Sequence, residues 1–381
     1  MLICQEIWRN QLLLSSKPRV TKLDGLRGVF SLMVMFFHYR ENMLPDMIYN
    51  NFFIRESYLF VDFFFVLSGY VIALNYNIMI GSNDLIKYLK KRFFRLYPLL
   101  LYTTLLYFSY YLVLKLMKIY FSDLSIFSGQ DVIHLKDECL YLIDTLFLTN
   151  STPFLGSTMG VNIPTWSISS EFISYILYGI IVFMFVGRAR NLLLLGTIIS
   201  ALLYSYYQAE LFPFNGDFGF VRGLIAFNLG YFVWYLANKN IKIPNIMEIF
   251  IPVLLLILFY YLNFYSVHQP EIRQLLGIFV VPLFFGFSIL SFIKTEGLVS
   301  KLLNLKIFQF LGDISYSIYL NHYLIILVLP KLIFSSFGLP QSSLNQVFVF
   351  LLTTLVVIGY SNFTYKYIEI QFTKYLKSKF L

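Results

Sequence analysis

Ten stretches of this chain, near residues 26–42, 58–77, 96–118, 164–186, 191–209, 218–237, 247–265, 273–293, 314–334 and 346–367, are apolar enough to enter hydrocarbon and long enough to approach its ~30 Å depth. Backbone N–H and C=O groups find no water there, so each stretch has to satisfy its own hydrogen bonds as a helix. The expected fold is all-α: a polytopic integral membrane protein with about ten transmembrane helices in one bundle. Composition agrees, because 58% hydrophobic and only 13% charged residues is more apolar surface than a soluble globule of this length can hide.

The net charge of +9 does not point to nucleic acid, since the Lys and Arg residues fall between apolar spans rather than on a soluble face. If the first helix runs outward, one side of the membrane collects Arg9, Lys17, Arg19, Lys22 and Arg27, the cluster Lys87, Lys90, Lys91, Arg92 and Arg95, then Arg188, Arg190, Lys239, Lys242, Lys294, Lys301, Lys306 and the tail lysines. The positive-inside rule then places both termini in the cytosol. Residues 1–21 read as a segment along the inner surface and not as a removable signal peptide. Residues 22–370 form the membrane domain, and residues 371–381 a basic cytosolic tail. Cys4 and Cys139 fall on opposite sides and suggest neither a disulfide nor a thiolate metal site. Connections are short except for about 119–163, which carries Asp131, His134, Asp137, Glu138 and Asp144 and a second apolar run, Leu140–Leu148, and reads as a lid or re-entrant piece.

The stretch Lys22–Glu41, KLDGLRGVFSLMVMFFHYRE, breaks an apolar run with Asp24, Arg27, Ser31 and His38. At ~3.6 residues per turn these four share one stripe, which hydrocarbon would reject. It has to face a protein interior or a watery cavity. A histidine hydrogen-bonded within the bundle is the structural alternative, but four polar groups in line favour a site. The uninterrupted apolar core, Val29–Tyr39, is short for a span, which places this helix among the others rather than in lipid.

Further along, FVDFFFVLSGYVIA puts Asp62 near the outer edge, while Ser68 and Gly69 read as packing residues. Arg92-Phe93-Phe94-Arg95 sets two guanidiniums one turn apart at the cytosolic boundary, in the fork geometry that suits phosphate oxygens; inner-leaflet lipid contact is the alternative. Pro98 is expected to kink or start the next helix. Asn162–Glu171 opens the fourth span at Pro164 or Thr165 and puts Ser167, Ser170, Glu171 and Ser174 on one face, with His38 or Arg222 as candidate partners of the carboxylate. In Gly312–His322, Ser315 and His322 face the same side, with Tyr319 nearby. The four histidines, His38, His134, His268 and His322, show no metal-ligand spacing, and neither G-x-S-x-G nor a P-loop is present.

Taken together, LDGLRG with His38 downstream, FVDFFFVLSGYVI, RFFR, PTWSISSEF and SYSIYLNH give a chain that resembles the acyltransferase 3 family, membrane-bound O-acyltransferases of surface polysaccharides such as O-antigen and exopolysaccharide or of related carbohydrate acceptors. The resemblance implies a ten-helix membrane domain that moves an acyl group, most often acetyl, from coenzyme A to a sugar hydroxyl. It carries the family's first-helix histidine onto His38, its GLRG arginine onto Arg27, its R-x-x-R pair onto Arg92 and Arg95, and its fourth-helix tryptophan and acid onto Trp166 and Glu171. Phe172 stands where the family often has a second acidic residue, which weakens any mechanism with two carboxylates there.

The expected chemistry follows. His38, with an ordinary pKa near ~6.5, is the general base for the acceptor hydroxyl. Glu171 or Asp62 holds its tautomer. Arg92, Arg95 and Arg27 bind acyl-CoA, with Asp24, Trp166, Ser170 and His322 in support; no metal or resident cofactor is expected, acetyl-CoA serving as donor substrate. Arg27 and His38 are separated by roughly 16 Å of helical rise at ~1.5 Å per residue, comparable to a pantetheine arm. A continuous passage from His38 to Arg92 is expected. Partners are acyl-CoA, a carbohydrate or lipid-linked saccharide, and membrane lipids. The competing readings are a transporter or flippase, in which the polar stripe is a substrate path, and a non-catalytic assembly subunit.

Overall fold

The computed structural model describes residues 20–120, 135–155, 160–207 and 218–380, with the side chains of Asn42, residues 118–120 and Leu135 left aside. Asp131, His134, Cys4 and nearly all of the expected N-terminal segment lie outside the described residues.

The bundle is all-α. In chain order the main helices are α1 (Thr21–Phe37), α2 (Phe60–Asn75), α3 (Ser82–Tyr120), α4 (Leu135–Leu146), α5 (Thr165–Met184), α6 (Gly187–Tyr207), α7 (Gly219–Ala237), α8 (Met247–His268), α9 (Pro270–Lys294), α10 (Lys306–Asp313), α11 (Ser315–Ser336) and α12 (Ser343–Phe380). Among the described residues, nine helices are long and apolar enough to cross a membrane. The tenth expected crossing, α1, has 17 residues and therefore spans only about 25 Å. It begins five residues earlier than the apolar pattern suggests, with Lys22 buried and donating to the Thr295 carbonyl and, at 2.8 Å, to Glu296, and it ends at Phe37, before Glu41. The ends of α3 also differ from expectation: the helix starts at Ser82 and runs through Pro98, so RFFR lies inside a helix rather than ahead of one. The last helix continues through the expected tail to Phe380. Thr165 starts α5 directly after Pro164, as the proline suggests.

Lipid exposure follows the sequence pattern. On α8, Ile249, Phe250, Val253, Leu254, Leu256, Ile257, Tyr260 and Tyr261 are all exposed, while Ile251, Leu255, Phe259 and Leu262 face inward. Ring packing builds much of the core: Phe30 stacks on Phe60 at 4.0 Å and meets Phe63 edge-on at 4.8 Å.

The closest helix crossing is α2 on α7. A Cβ on Gly69 would stand 1.9 Å from the Phe227 carbonyl oxygen, and one on Gly230 would stand 2.1 Å from that of Val66. Without a hydrophobic force between helices in lipid, such close backbone contact supplies the dispersion energy that holds the pair. A second glycine contact fixes α1: a Cβ on Gly28 would lie 2.6 Å from the Gly312 nitrogen of α10. The obstacle at Gly230 is backbone, which cannot turn aside, so Gly230→Ala is expected to lower stability by about 1–3 kcal/mol. Gly359→Ala, with open space around it, is the control. Thermal unfolding in detergent should separate the two; equal melting temperatures would contradict the close crossing.

Candidate active site

A cavity of about 400 Å³ enters the bundle between α1, α2, α3, α5 and α11. Its basic end is built by α1 and α3. Arg27 reaches Asp24 Oδ1 at 3.3 Å, one helical turn away. Arg92 donates to the Tyr76 hydroxyl at 3.3 Å with its guanidinium 5.1 Å from that ring, while its Nε is buried without a hydrogen-bond partner. Arg95 is paired with the Glu369 carboxylate of α12, whose other oxygen accepts from Ser317 at 3.0 Å. All three arginines line the cavity, as the spacing of GLRG and RFFR suggests.

Deeper in, the wall becomes neutral and hydroxylic. Glu171 Oε1 accepts from both the Ser68 and the Tyr175 hydroxyls, which lie 2.8 Å apart. Tyr175 stands four residues after Glu171, one turn along α5, so this partner was available from helical spacing. Ser68, which reads as a packing residue from sequence, is in the site. At the far end the Tyr319 hydroxyl meets Ser167 Oγ at 2.7 Å. Ser315 lines the same wall.

His38 and His322 lie beyond that end. Their rings are 4.9 Å apart, with His322 Nε2 at 3.3 Å from His38 Nδ1. Each Nδ1 also faces the carbonyl one turn back in its own helix, Val34 at 2.8 Å for His38 and Ile318 at 3.1 Å for His322. A carbonyl only accepts, so Nδ1 carries the proton on both rings. The single His38 Nδ1–H is thus shared between the Val34 carbonyl and the lone pair of His322 Nε2, and His38 Nε2 is the unprotonated nitrogen.

This geometry differs from two expectations. Among the described residues, no carboxylate orients His38. Asp62 commits both oxygens to Arg222, with Oδ1 at 2.9 Å from Nε and Oδ2 at 2.6 Å from Nη2, and Glu171 is turned to Ser68 and Tyr175. An intramembrane carboxylate takes the strongest donor within reach, and for Asp62 that is a bidentate guanidinium. His38 is not among the residues that line this cavity; Tyr319 is, with its ring 6.0 Å from that of His322, so among the described residues the cavity does not itself reach from Arg92 to His38. Of the supporting residues, Asp24 lines the basic end. Trp166 offers its ring face to Arg222 at 5.6 Å, and Ser170 donates to the Gly219 carbonyl at 2.9 Å, clasping α5 to α7 outside the cavity. Glu369 has no counterpart in the sequence reading, since nothing in the tail marks it as the neighbour of a residue far upstream.

Asp62 and Arg222 are both buried, so removing one leaves the other charged and alone. Asp62→Ala is expected to cost about 3–5 kcal/mol, most of it recovered in Asp62→Ala combined with Arg222→Met. Thermal unfolding of the two variants checks this; no recovery in the double variant would show that the pair acts otherwise.

A model of an acyltransferase domain family matches residues 20–361. A curated relative, protein 2 in the picA locus of Rhizobium radiobacter, is 32% identical over 175 residues, covering 43% of this chain and 83% of its own length. The O-acetyltransferase OatA of Staphylococcus aureus is 22% identical over 370 residues, covering 91% of this chain. The chain spans only 56% of the length of that second relative. No solved structure matches the chain. With the family model running through α1, RFFR, the opening of α5 and the histidine of α11, the chain belongs to the acyltransferase 3 family.

Proposed function

We propose that the chain is a membrane O-acyltransferase that moves an acyl group, acetyl first among them, from cytosolic acyl-CoA to a hydroxyl of a cell-surface polysaccharide or its lipid-linked precursor, with His38 as general base. The observation that carries this reading is the cavity with Arg27, Arg92 and Arg95 at one end and hydroxyl groups at the other. Phosphates would be held by the guanidiniums, Arg92 having a buried N–H still without a partner. A volume of about 400 Å³ suits the slim thioester arm of such a donor and leaves the nucleotide end at the rim. Similarity over 91% of the chain to a protein named for O-acetyl transfer supports transfer of an acyl group to oxygen. The basic end then faces the cytosol of a bacterial inner membrane, as the positive-inside rule directs.

In this reading the site has two compartments. The donor enters from the basic end, and the acceptor hydroxyl meets His38 Nε2 from the other. Tyr319 and its bond to Ser167 divide them, and turning that side chain about its Cα–Cβ bond would join them. The Val34 carbonyl takes the place of an orienting carboxylate by accepting the His38 Nδ1–H at 2.8 Å, with His322 Nε2 as a second, longer acceptor at 3.3 Å.

His38→Ala is expected to reduce O-acylation at least about 100-fold while accumulating in the membrane at the normal level, since a positioned base contributes ~10²–10⁴ in rate. The measurement is the content of base-labile O-acyl esters in surface glycans of cells lacking the chain and complemented with each variant. Full restoration by His38→Ala would reject the base assignment. Arg92→Gln, which strands no carboxylate, is expected to weaken acyl-CoA binding by about tenfold. Unchanged binding would reject the donor site.

A further inference from the structure

The family match ends at residue 361, yet α12 continues to Phe380. Its 38 residues rise roughly 57 Å, and the 39 residues of α3 about as far, against a hydrocarbon depth of ~30 Å. Both helices therefore extend beyond the bilayer, and they do so side by side. Lys90 Nζ donates to the Phe380 carbonyl at 3.3 Å, Phe94 and Phe380 stack at 5.9 Å, and Glu369 holds Arg95.

Lys377 stands three residues before Phe380 and so shares the face turned to α3. Lys366, Lys374 and Lys379 of the same helix are exposed, whereas Lys377 is half-buried and within Coulombic reach of Lys91, Arg92 and Arg95. The nearby carboxylates are already engaged: Asp24 with Arg27, and Glu369 with Arg95. Among the described residues, no carboxylate is paired with Lys91, Arg92 or Lys377, and the Arg92 Nε is buried with no acceptor. Three cations drawn together at a half-buried rim repel one another unless an anion joins them.

We propose that Lys91, Arg92 and Lys377 form a phosphate subsite at the cavity rim, in which Arg92 takes the diphosphate of the acyl-CoA donor and Lys91 with Lys377 takes its ribose 3′-phosphate. This rests on the donor reading above and extends it to a segment outside the family match. The position fits the ligand: the cavity takes the thioester arm, so the adenosine 3′-phosphate has to lie outside it, where α3 and α12 stand clear of the membrane. The phosphomonoester is the most highly charged group of the donor and meets the two lysines. Phosphate of an anionic lipid headgroup shares this chemistry and is the other source.

The test measures binding of coenzyme A and of 3′-dephospho-coenzyme A to the full chain in nanodiscs of neutral lipid, and again with anionic lipid. The wild-type protein is expected to prefer coenzyme A by about tenfold. Lys377→Gln should remove that preference by weakening coenzyme A alone, and Lys374→Gln, on the exposed face, should leave both affinities unchanged. Equal weakening of both ligands by Lys377→Gln, or no effect on either, would overturn the subsite. A thermal shift that follows Lys377 only in anionic nanodiscs, with no discrimination between the two ligands, would assign the lysine to lipid and also overturn it. Failure of the wild-type chain to bind either ligand would remove the donor reading itself, whereas binding of both without preference would remove only the 3′-phosphate contact.

Discussion

An ionised group inside a membrane bundle needs a partner of opposite charge or several hydrogen bonds, and this requirement arranges most of the interior. Asp62 is matched by Arg222, Glu56 by Arg273, Arg95 by Glu369 and Lys22 by Glu296. Glu248 is satisfied by the backbone N–H groups of Gly297 and Ser300 and by the Ser300 hydroxyl. These ties cross between helices far apart in sequence and fix which helix lies beside which. What they leave over is informative. Among the described residues, three arginines keep a buried Nε without an acceptor, Arg92, Arg190 and Arg273, and of these Arg92 lines the cavity.

If the site takes its two substrates from opposite sides, as proposed, a partition at Tyr319 has a chemical rationale. A thioester open to water at the acceptor end would lose its acyl group to hydrolysis, so a closed wall between the compartments protects the donor until an acceptor is present. Tyr319 is suited to this because its ring fills space beside Phe64 while its hydroxyl is satisfied by Ser167. The wall is therefore both apolar enough to exclude water and polar enough to be held in one place.

The all-α membrane fold, the rough positions of the spans and the arginines at the cavity were legible in the sequence, because length, hydropathy and the phosphate-matching geometry of guanidinium are local properties. The partner of His38 was not, since imidazole will accept a carboxylate, a carbonyl or a second imidazole, and spacing within one helix does not say which helix packs alongside. For the same reason Asp62 read as an orienting acid when it is one half of a buried ion pair. Ser170 and Ser68 illustrate the limit: Ser170, read as a supporting site residue, clasps α7, while Ser68, read as a packing residue, is bonded to the cavity carboxylate. Glu369 was hidden by distance along the chain and by neighbours such as Lys366 and Lys374 that suggested only surface charge.

The depth of His38 in the membrane also depends on polar ties, because α1 is too short to be placed by hydrophobic match alone. At 17 residues it falls about 5 Å short of the hydrocarbon depth, so sliding along the membrane normal would change little apolar exposure. Three contacts prevent the slide. Lys22 anchors one end to Thr295 and Glu296, Gly28 seats the middle directly on the backbone at Gly312, and the His38 ring meets His322 at the other end. The glycine contact is the stiffest, since backbone against backbone leaves no rotamer to relax. A short helix held by its contacts keeps Arg27 and His38 at fixed heights on either side of Tyr319, which a longer helix free to tilt in lipid would not ensure. The marginal length of the first span is thus part of how the two ends of the site are held in register.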